Sequence, residues 1–346
     1  MKFDYLIVGS GLSSLMLCEA LRKRGKTFMV VSNRSQQASI VASGLYNPVV
    51  LKRFNKAWDA EKHLPIASAA YTALETYLDV KIDHKQPIYR VFSSVKEQNN
   101  WFLASDNPQL QPFLTPKIIS NKNININAPF GFGKVNQTGR VDTNLLLESY
   151  NQSLKSRGVF LAETFSYSDL DIKTLIHYKD IVATQLIFAQ GFGLKNNPYF
   201  KNLPLGGTKG ELLLIKAPDL KSEVILKSSI FVIPIGKDHY LVGSTYTWDD
   251  SKNTPTVAAK NELLYKLKGL INCSFHIVEH RAGIRPTVVD RRPLIGQHKT
   301  HKNLYILNGL GSRGVLIAPS IANELIAFIE EGTPLSKLVD IKRFQA

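Results

Sequence analysis

Apolar and polar positions alternate along the first 31 residues in a way that predicts three elements. Tyr5-Leu6-Ile7-Val8 is uniformly apolar and β-prone, the pattern of a strand buried on both faces. Gly9-Ser10-Gly11 breaks it as a tight turn. From Leu12 to Arg24 the apolar residues return at helical spacing, with Leu15, Cys18 and Leu21 on one face, and Gly25 is placed to end that helix. Thr27-Phe28-Met29-Val30-Val31 is a second strand, which completes a βαβ unit.

A similar order returns near the end. Leu304-Tyr305-Ile306-Leu307 reads as a strand, Gly309 to Gly314 as a glycine-rich turn, and Val315 to Glu331 as a helix closed by Gly332 and Pro334. Between these lies a third buried-looking strand, Gln185-Leu186-Ile187-Phe188-Ala189, which runs into Gln190-Gly191. Ile88 to Phe92 and Leu212 to Thr247 differ: they are alternating or β-branched, with turn residues such as Gly236-Lys237-Asp238, and they predict an antiparallel sheet. The partition that follows is a nucleotide-binding domain from residues 1–80, 140–205 and 286–346, interleaved with a β-rich substrate domain from 81–139 and 206–285.

The opening turn carries candidate chemistry. A dinucleotide site needs a tight turn so that backbone amides and a helix N-terminus can meet a pyrophosphate. Gly9 and Gly11 fill the first two glycine positions of that fingerprint, and Ser14 stands where the third usually lies. Ser32, 23 residues after Gly9, and Asn33 occupy the end of the second strand, where an acidic residue normally accepts the ribose hydroxyls. The strand–turn–helix context makes the match specific, and the fold class it predicts is α/β: a Rossmann-like FAD/NAD(P)-binding domain with the interleaved β-rich domain.

Composition changes the picture in two places. The net charge of +15 favours acidic partners such as nucleic acid, anionic membrane or a phosphorylated substrate, yet the Lys and Arg are scattered, as a compositional habit of the source genome would also leave them. Only Cys18 and Cys273 occur, far apart, so neither a disulfide framework nor a zinc site is suggested, and a reducing cytoplasm fits. No stretch reaches the roughly 18 uninterrupted apolar residues of a membrane span, and the N-terminus lacks the pattern of a secretory signal. One HxxEH spacing occurs, His276-Ile277-Val278-Glu279-His280, in a β-branched rather than helical stretch, and with no HxH pair, GxSxG elbow or Walker A loop no metal hydrolase chemistry is expected.

Seven segments in order make the chain similar to the D-amino acid oxidase and glycine oxidase superfamily of flavoproteins. They are Asp4 to Gly11, Ala42-Ser43-Gly44, Ala189-Gln190-Gly191, Thr208-Lys209-Gly210-Glu211, Phe231-Val232-Ile233-Pro234 through Leu241-Val242-Gly243, Ala282-Gly283-Ile284-Arg285-Pro286, and Asn308 to Val315. The resemblance implies FAD, and since no Cys or His sits beside the flavin-facing segments its binding is expected to be noncovalent. Gly9, Gly11, Leu12 and Ser13 would lie against its pyrophosphate, Ser32 and Asn33 would face the adenosine ribose, and Ala38 and Ser39 would border the phosphates and ribityl chain. Ser43, Gly44 and Leu45 would approach the flavin ring. Gly309, Gly311, Ser312, Arg313, Gly314 and Val315 would aim amides at its pyrimidine edge, where a helix N-terminus stabilises developing negative charge.

The resemblance also implies an FAD-dependent oxidation of a carboxylate-bearing amine, with hydride passing from the α-carbon to flavin N5. Arg285 matches the position that clamps the substrate carboxylate, and Arg313 could hold a carboxylate or tune the ring. Phe231 stands where the resembled oxidases place a carboxylate-fixing Tyr; Tyr240 and Tyr246 on the following hairpin are the candidates to substitute, and Tyr46, just after the flavin-facing glycine, is an aromatic to look for near the ring. Two further readings stay open. Gly309 to Gly314 resembles the oxidase half of the bifunctional enzyme that matures methylaminomethyl-uridine in tRNA, for which the +15 charge would hold RNA. The other is a flavin-binding subunit without catalysis.

Overall fold

The computed structural model describes residues 1–248, 250 and 252–344, so the expected domain end at 346 lies outside the described residues. Its first sheet is built on five parallel strands in the order Phe160–Leu161, Phe28–Val31, Lys2–Val8, Ile181–Phe188 and Leu304–Asn308. In chain order these are third, second, first, fourth and fifth. The order reverses between Lys2–Val8 and Ile181–Phe188, which opens a crevice beyond the carboxyl ends of those two strands, the usual place for a ligand in a doubly wound sheet. The four residues Phe28–Val31 are all buried, as a strand covered on both faces requires.

The helix after the first strand spans Leu12–Arg22, two residues shorter than its apolar pattern predicts. Gly25 is the cause. It adopts φ +67°, its N–H donates to the Arg22 carbonyl, and the Lys26 N–H returns to the Leu21 carbonyl, so the chain leaves the helix early. The late helix, Gly314–Glu331, packs on this first helix and on Ala60–Leu78, a helix that the periodicity analysis did not single out. Leu316, Ile317, Ile321, Leu325 and Ile326 are each 4% exposed or less, worth about 1.5–3 kcal/mol apiece in apolar transfer. Gly311–Glu331 is long and apolar enough to cross a bilayer by composition, but its buried face is spent on these helices.

The second sheet has eight strands in the order His276–Val288, Leu205–Lys216, His239–Gly243, Phe231–Gly236, Ile225–Lys227, Ile88–Val91, Phe132–Val135 and Leu114–Ile119. All neighbours are antiparallel except Ile225–Lys227 with Ile88–Val91. The predicted hairpin turn forms with Gly236, Lys237 and Asp238 all at positive φ. A small third sheet joins Leu45–Tyr46, Gly139–Val141 and Asp83–Lys85. The expected domain borders at 139/140 and 285/286 fall inside continuous strands, Gly139–Val141 and His276–Val288. Leu205 and Val288, at one end of the longest strand pair, pack with the first sheet, whereas Leu213 and Ile215 on the same strand belong to the core of the second.

Candidate active site

A cavity of about 580 Å³ runs from the carboxyl end of the Phe28–Val31 strand, past the first turn and under the second sheet, to the late turn. That lies in the range of small-molecule and cofactor sites. Its walls include Gly9, Gly11, Leu12, Ser13, Ser32, Asn33, Ala38, Ser39, Ser43, Gly44, Leu45, Arg285, Gly311, Ser312, Arg313, Gly314 and Val315. The structure thus brings together all but one of the site residues expected from sequence.

The first turn is shaped by close backbone approach. Gly9 sits at φ +119°, and a Cβ there would lie 2.3 Å from the Ala189 carbonyl oxygen. Gly11 is the extended N-cap of the Leu12–Arg22 helix and offers no side chain to its first turn. Leu12 N–H finds Ser39 Oγ at 3.2 Å, while among the described residues no side chain caps the amides of Ser13 and Ser14. An uncapped helix N-terminus on a cavity wall is an anion site. Ser14 is 1% exposed and its hydroxyl has no partner among the described residues, so a third glycine is replaced here by a small side chain packed against the turn.

At the strand end, Ser32 Oγ lies 2.9 Å from Ser10 Oγ and accepts the Arg34 N–H. Asn33 donates to Thr164 Oγ1 and accepts the Ser35 N–H, so its amide is engaged by the loop although it borders the cavity. Uncapped amides, neutral hydroxyls and an elongated cavity together fit FAD. Ser10, Ser13, Ser32 and Ser39 would hold it by neutral donors and acceptors, without the acidic ribose ligand. Gly44 lets the chain pass the far end: its φ is +73°, and a Cβ would meet the Val141 carbonyl oxygen at 1.8 Å.

The other end is cationic. Arg285 lies over Gly210, where an added Cβ would fall 1.9 Å from Nη2. Its Nη2 donates to Ser244 Oγ at 2.8 Å, and the Tyr246 ring centre is 5.5 Å from its Cζ. Burial pulls the Arg285 guanidinium below its ordinary value, opposed by Tyr246. Arg313 ends the turn Gly311–Arg313 and is the N-cap of the late helix, where Tyr71 fixes the first turn by donating to the Val315 carbonyl at 2.6 Å. Burial, then Arg292 and Arg291, lowers the Arg313 guanidinium. Phe231, Leu212, Ile233 and Leu241 supply an apolar wall, and no Asp, Glu or His borders the cavity among the described residues.

Three expectations are corrected. Gly309 is not on the cavity wall: it faces Val288, whose Cγ2 would lie 2.4 Å from an added Cβ, and its φ of +72° serves the turn. Tyr46 points away from the cavity and donates to Asp83 Oδ1 across the small sheet. Tyr240 is buried in the second core, where its hydroxyl accepts the Ser222 N–H. Sequence reasoning missed Ser244 and Thr245, which hold Arg285, and Arg34, which follows the strand end onto the cavity wall. No local signal marks the first two, because only the fold brings a loop after one strand against a side chain of another. Arg34 was within reach of sequence reasoning, sitting next to the predicted ribose position.

A sequence model described as FAD dependent oxidoreductase matches residues 4–327. Glycine oxidase of Pseudomonas putida is 32% identical over 126 residues, 34% of this chain and 33% of that protein. The tRNA 5-methylaminomethyl-2-thiouridine biosynthesis bifunctional protein MnmC of Idiomarina loihiensis is 29% identical over 155 residues, 41% of this chain and 25% of its own length. The matched stretches thus span a third or less of both relatives. In fold, the crystal structure of glycine oxidase from Bacillus cereus superposes with a TM-score of 0.78 at 20% identity, covering 96% of each chain.

Proposed function

The chain belongs to the FAD-dependent oxidoreductase family, and from that premise we propose that it oxidises the C–N bond of a carboxylate-bearing amine, an amino acid or an N-substituted glycine. The observation that carries this reading is Arg285, laid flat on Gly210, steadied by Ser244, and facing a cavity without a bordering carboxylate among the described residues. A planar guanidinium held in one orientation grips a carboxylate through two parallel hydrogen bonds. Bound FAD supplies the acceptor for the hydride.

The residues of the chain prepare the substrate for that loss. Arg285 fixes the carboxylate and thereby the direction of the α-carbon, which is the positional part of the rate enhancement. Arg285 and Arg313 both line the cavity and no carboxylate borders it among the described residues, so its positive potential disfavours the ammonium form. The neutral amine is the form whose lone pair can close a C=N bond as the hydride departs. Phe231 and Leu241 keep water from the α-carbon without offering a hydroxyl to the carboxylate. The proposal is tested by anaerobic mixing of the holoprotein with glycine, N-methylglycine, iminodiacetate and D-alanine. Bleaching of the flavin absorbance by at least one is expected; a flavin that none of them reduces leaves the reading of a non-catalytic flavin-binding subunit.

One observation favours a second reading, in which the amine is carried by tRNA. Arg291, Arg292 and Arg313 stand near one another without an ion pair among the described residues, in a chain of net charge +15. Binding of tRNA that weakens steeply with salt supports it, and affinity unchanged between low and high salt removes it.

A further inference from the structure

Beyond Arg285 the chain carries two large aromatic side chains that face solvent. Tyr246 is 47% exposed and Trp248 is 54% exposed, with ring centres 5.5 Å apart and planes at 75°. Other exposed aromatics, Tyr265 and Phe102, lie on helices Val257–Lys268 and Val95–Ser105, whereas Tyr246, itself outside the cavity lining, stands 5.5 Å from the Cζ of Arg285 on the cavity wall. Tyr246 and Trp248 are two residues apart in an extended segment, so they share one side of it. The Thr247 backbone between them pairs with Lys209 in both directions, N–H to carbonyl at 3.0 Å and 2.8 Å.

The segment is pinned again downstream. Lys209 is 1% exposed, and its ammonium donates to Asp250 Oδ2 at 2.6 Å and to the Thr254 carbonyl at 2.5 Å. A buried cation with those partners fixes the loop against the Leu205–Lys216 strand. The five residues 244–248 therefore do two things at once. Ser244 and Thr245 hold the Arg285 fork, and Tyr246 and Trp248 stand outside it on a backbone that is tied down.

We infer that Tyr246 and Trp248 form a stacking platform for a planar aromatic or heteroaromatic ring, borne by the substrate on its amine nitrogen. This deepens the amine-oxidation reading and rests on it. A carboxylate gripped by Arg285 sets the α-carbon inside the cavity. The substituent on nitrogen then has an apolar wall of Phe231 and Leu241 on one side and the aromatic pair next to the clamp on the other. Solvent-facing rings beside a cation, rather than buried ones, are what a ring of the ligand would complete by stacking. Glycine itself would leave the platform unused; an arylmethyl group on nitrogen reaches it.

The probes are N-benzylglycine and N-methylglycine, which share the amine and carboxylate and differ in the ring. Binding to the holoprotein is read from perturbation of the flavin absorbance, and turnover separately from its bleaching. The wild-type protein is expected to bind N-benzylglycine roughly tenfold more tightly than N-methylglycine, and Trp248→Ala to lose that factor while binding N-methylglycine as before. Trp248→Phe should keep most of the preference. Equal affinity of the wild type for both probes overturns the platform, as does a Trp248→Ala loss shared by both. Bleaching by neither probe counts against amine oxidation alone, since the binding comparison still judges the platform. Displacement of N-benzylglycine by tRNA assigns the ring to RNA; persistence against tRNA assigns it to a free small molecule.

Discussion

The two ends of the cavity are built on different principles. At the nucleotide end the wall is main chain and hydroxyl: Gly9, Gly11, uncapped amides of the first helix, and Ser10, Ser32 and Ser39. At the substrate end it is guanidinium and hydrocarbon: Arg285, Arg313, Phe231 and Leu241. The first end tolerates no change of backbone, because its recognition groups are fixed by close approach. The second is defined by side chains, two guanidinium groups and an apolar wall. A cofactor that stays and a ligand that must come and go are matched by these two designs.

Four perturbations break or sharpen that contrast. The largest effect is expected from Gly9→Ala, which drives a Cβ to 2.3 Å from the Ala189 carbonyl oxygen and forces a side chain into φ +119°. The purified variant should be colourless and take up no flavin, with its circular dichroism spectrum retained; a yellow variant would show that the turn does not shape the site.

Arg285→Ala should instead stay yellow. Loss of the charge-assisted fork is expected to lower kcat/KM for a carboxylate-bearing amine by about 3 kcal/mol, roughly a hundredfold. An amine lacking a carboxylate, used as a control, should lose far less. Equal losses on both amines would mean that Arg285 supports the cavity rather than the substrate.

The third perturbation is acid. His63 is 1% exposed, and burial lowers its imidazole to about 4. Its ring packs 5.0 Å from Trp58, whose face carries Arg292, the neighbour of Arg313. Between pH 6.5 and 4 the unfolded chain binds a proton at this residue that the folded chain refuses. Stability therefore falls as pH drops through that window, by on the order of 3 kcal/mol if His63 acts alone. His63→Leu should flatten the pH dependence of Tm there while leaving it unchanged above neutrality. A curve identical to wild type would assign the acid sensitivity elsewhere.

The smallest effect is expected from Ser32→Glu. It returns a carboxylate to the strand end, where hydrogen bonds to a charged acceptor are stronger than those to a hydroxyl by about 1 kcal/mol. FAD should bind several-fold tighter in a fluorescence titration. Weaker binding would mean that the Ser10–Ser32 contact and the Arg34 amide already define that end.

Much of this was legible in the residues, and the exceptions are instructive. The Lys2–Val8 strand and the Leu12–Arg22 helix announce themselves because a strand buried on both faces and a helix with one apolar face leave simple periodicities. The late turn and helix repeat that grammar. The role of Gly210 was not legible, since it depends on a guanidinium from the neighbouring strand, 75 residues on at Arg285, lying over it. Gly309 misled for the opposite reason. It sits in a turn of ligand-binding composition, but its missing side chain makes room for Val288 rather than for a cofactor. Tyr46 and Tyr240 show the same limit, because an aromatic beside a site in sequence is turned away by whichever sheet owns its strand.

The strands Leu205–Lys216 and His276–Val288 pass without interruption from one core to the other. Twelve residues of one are paired with the other, with a register shift between Leu214 and Ile215, so bending the halves apart would shear a long run of strand pairing. That ladder stiffens the join between the two cores against opening. With the two cores joined in this way, passage of a ligand to the cavity is expected to depend on side-chain movement at its mouth more than on the swing of a domain.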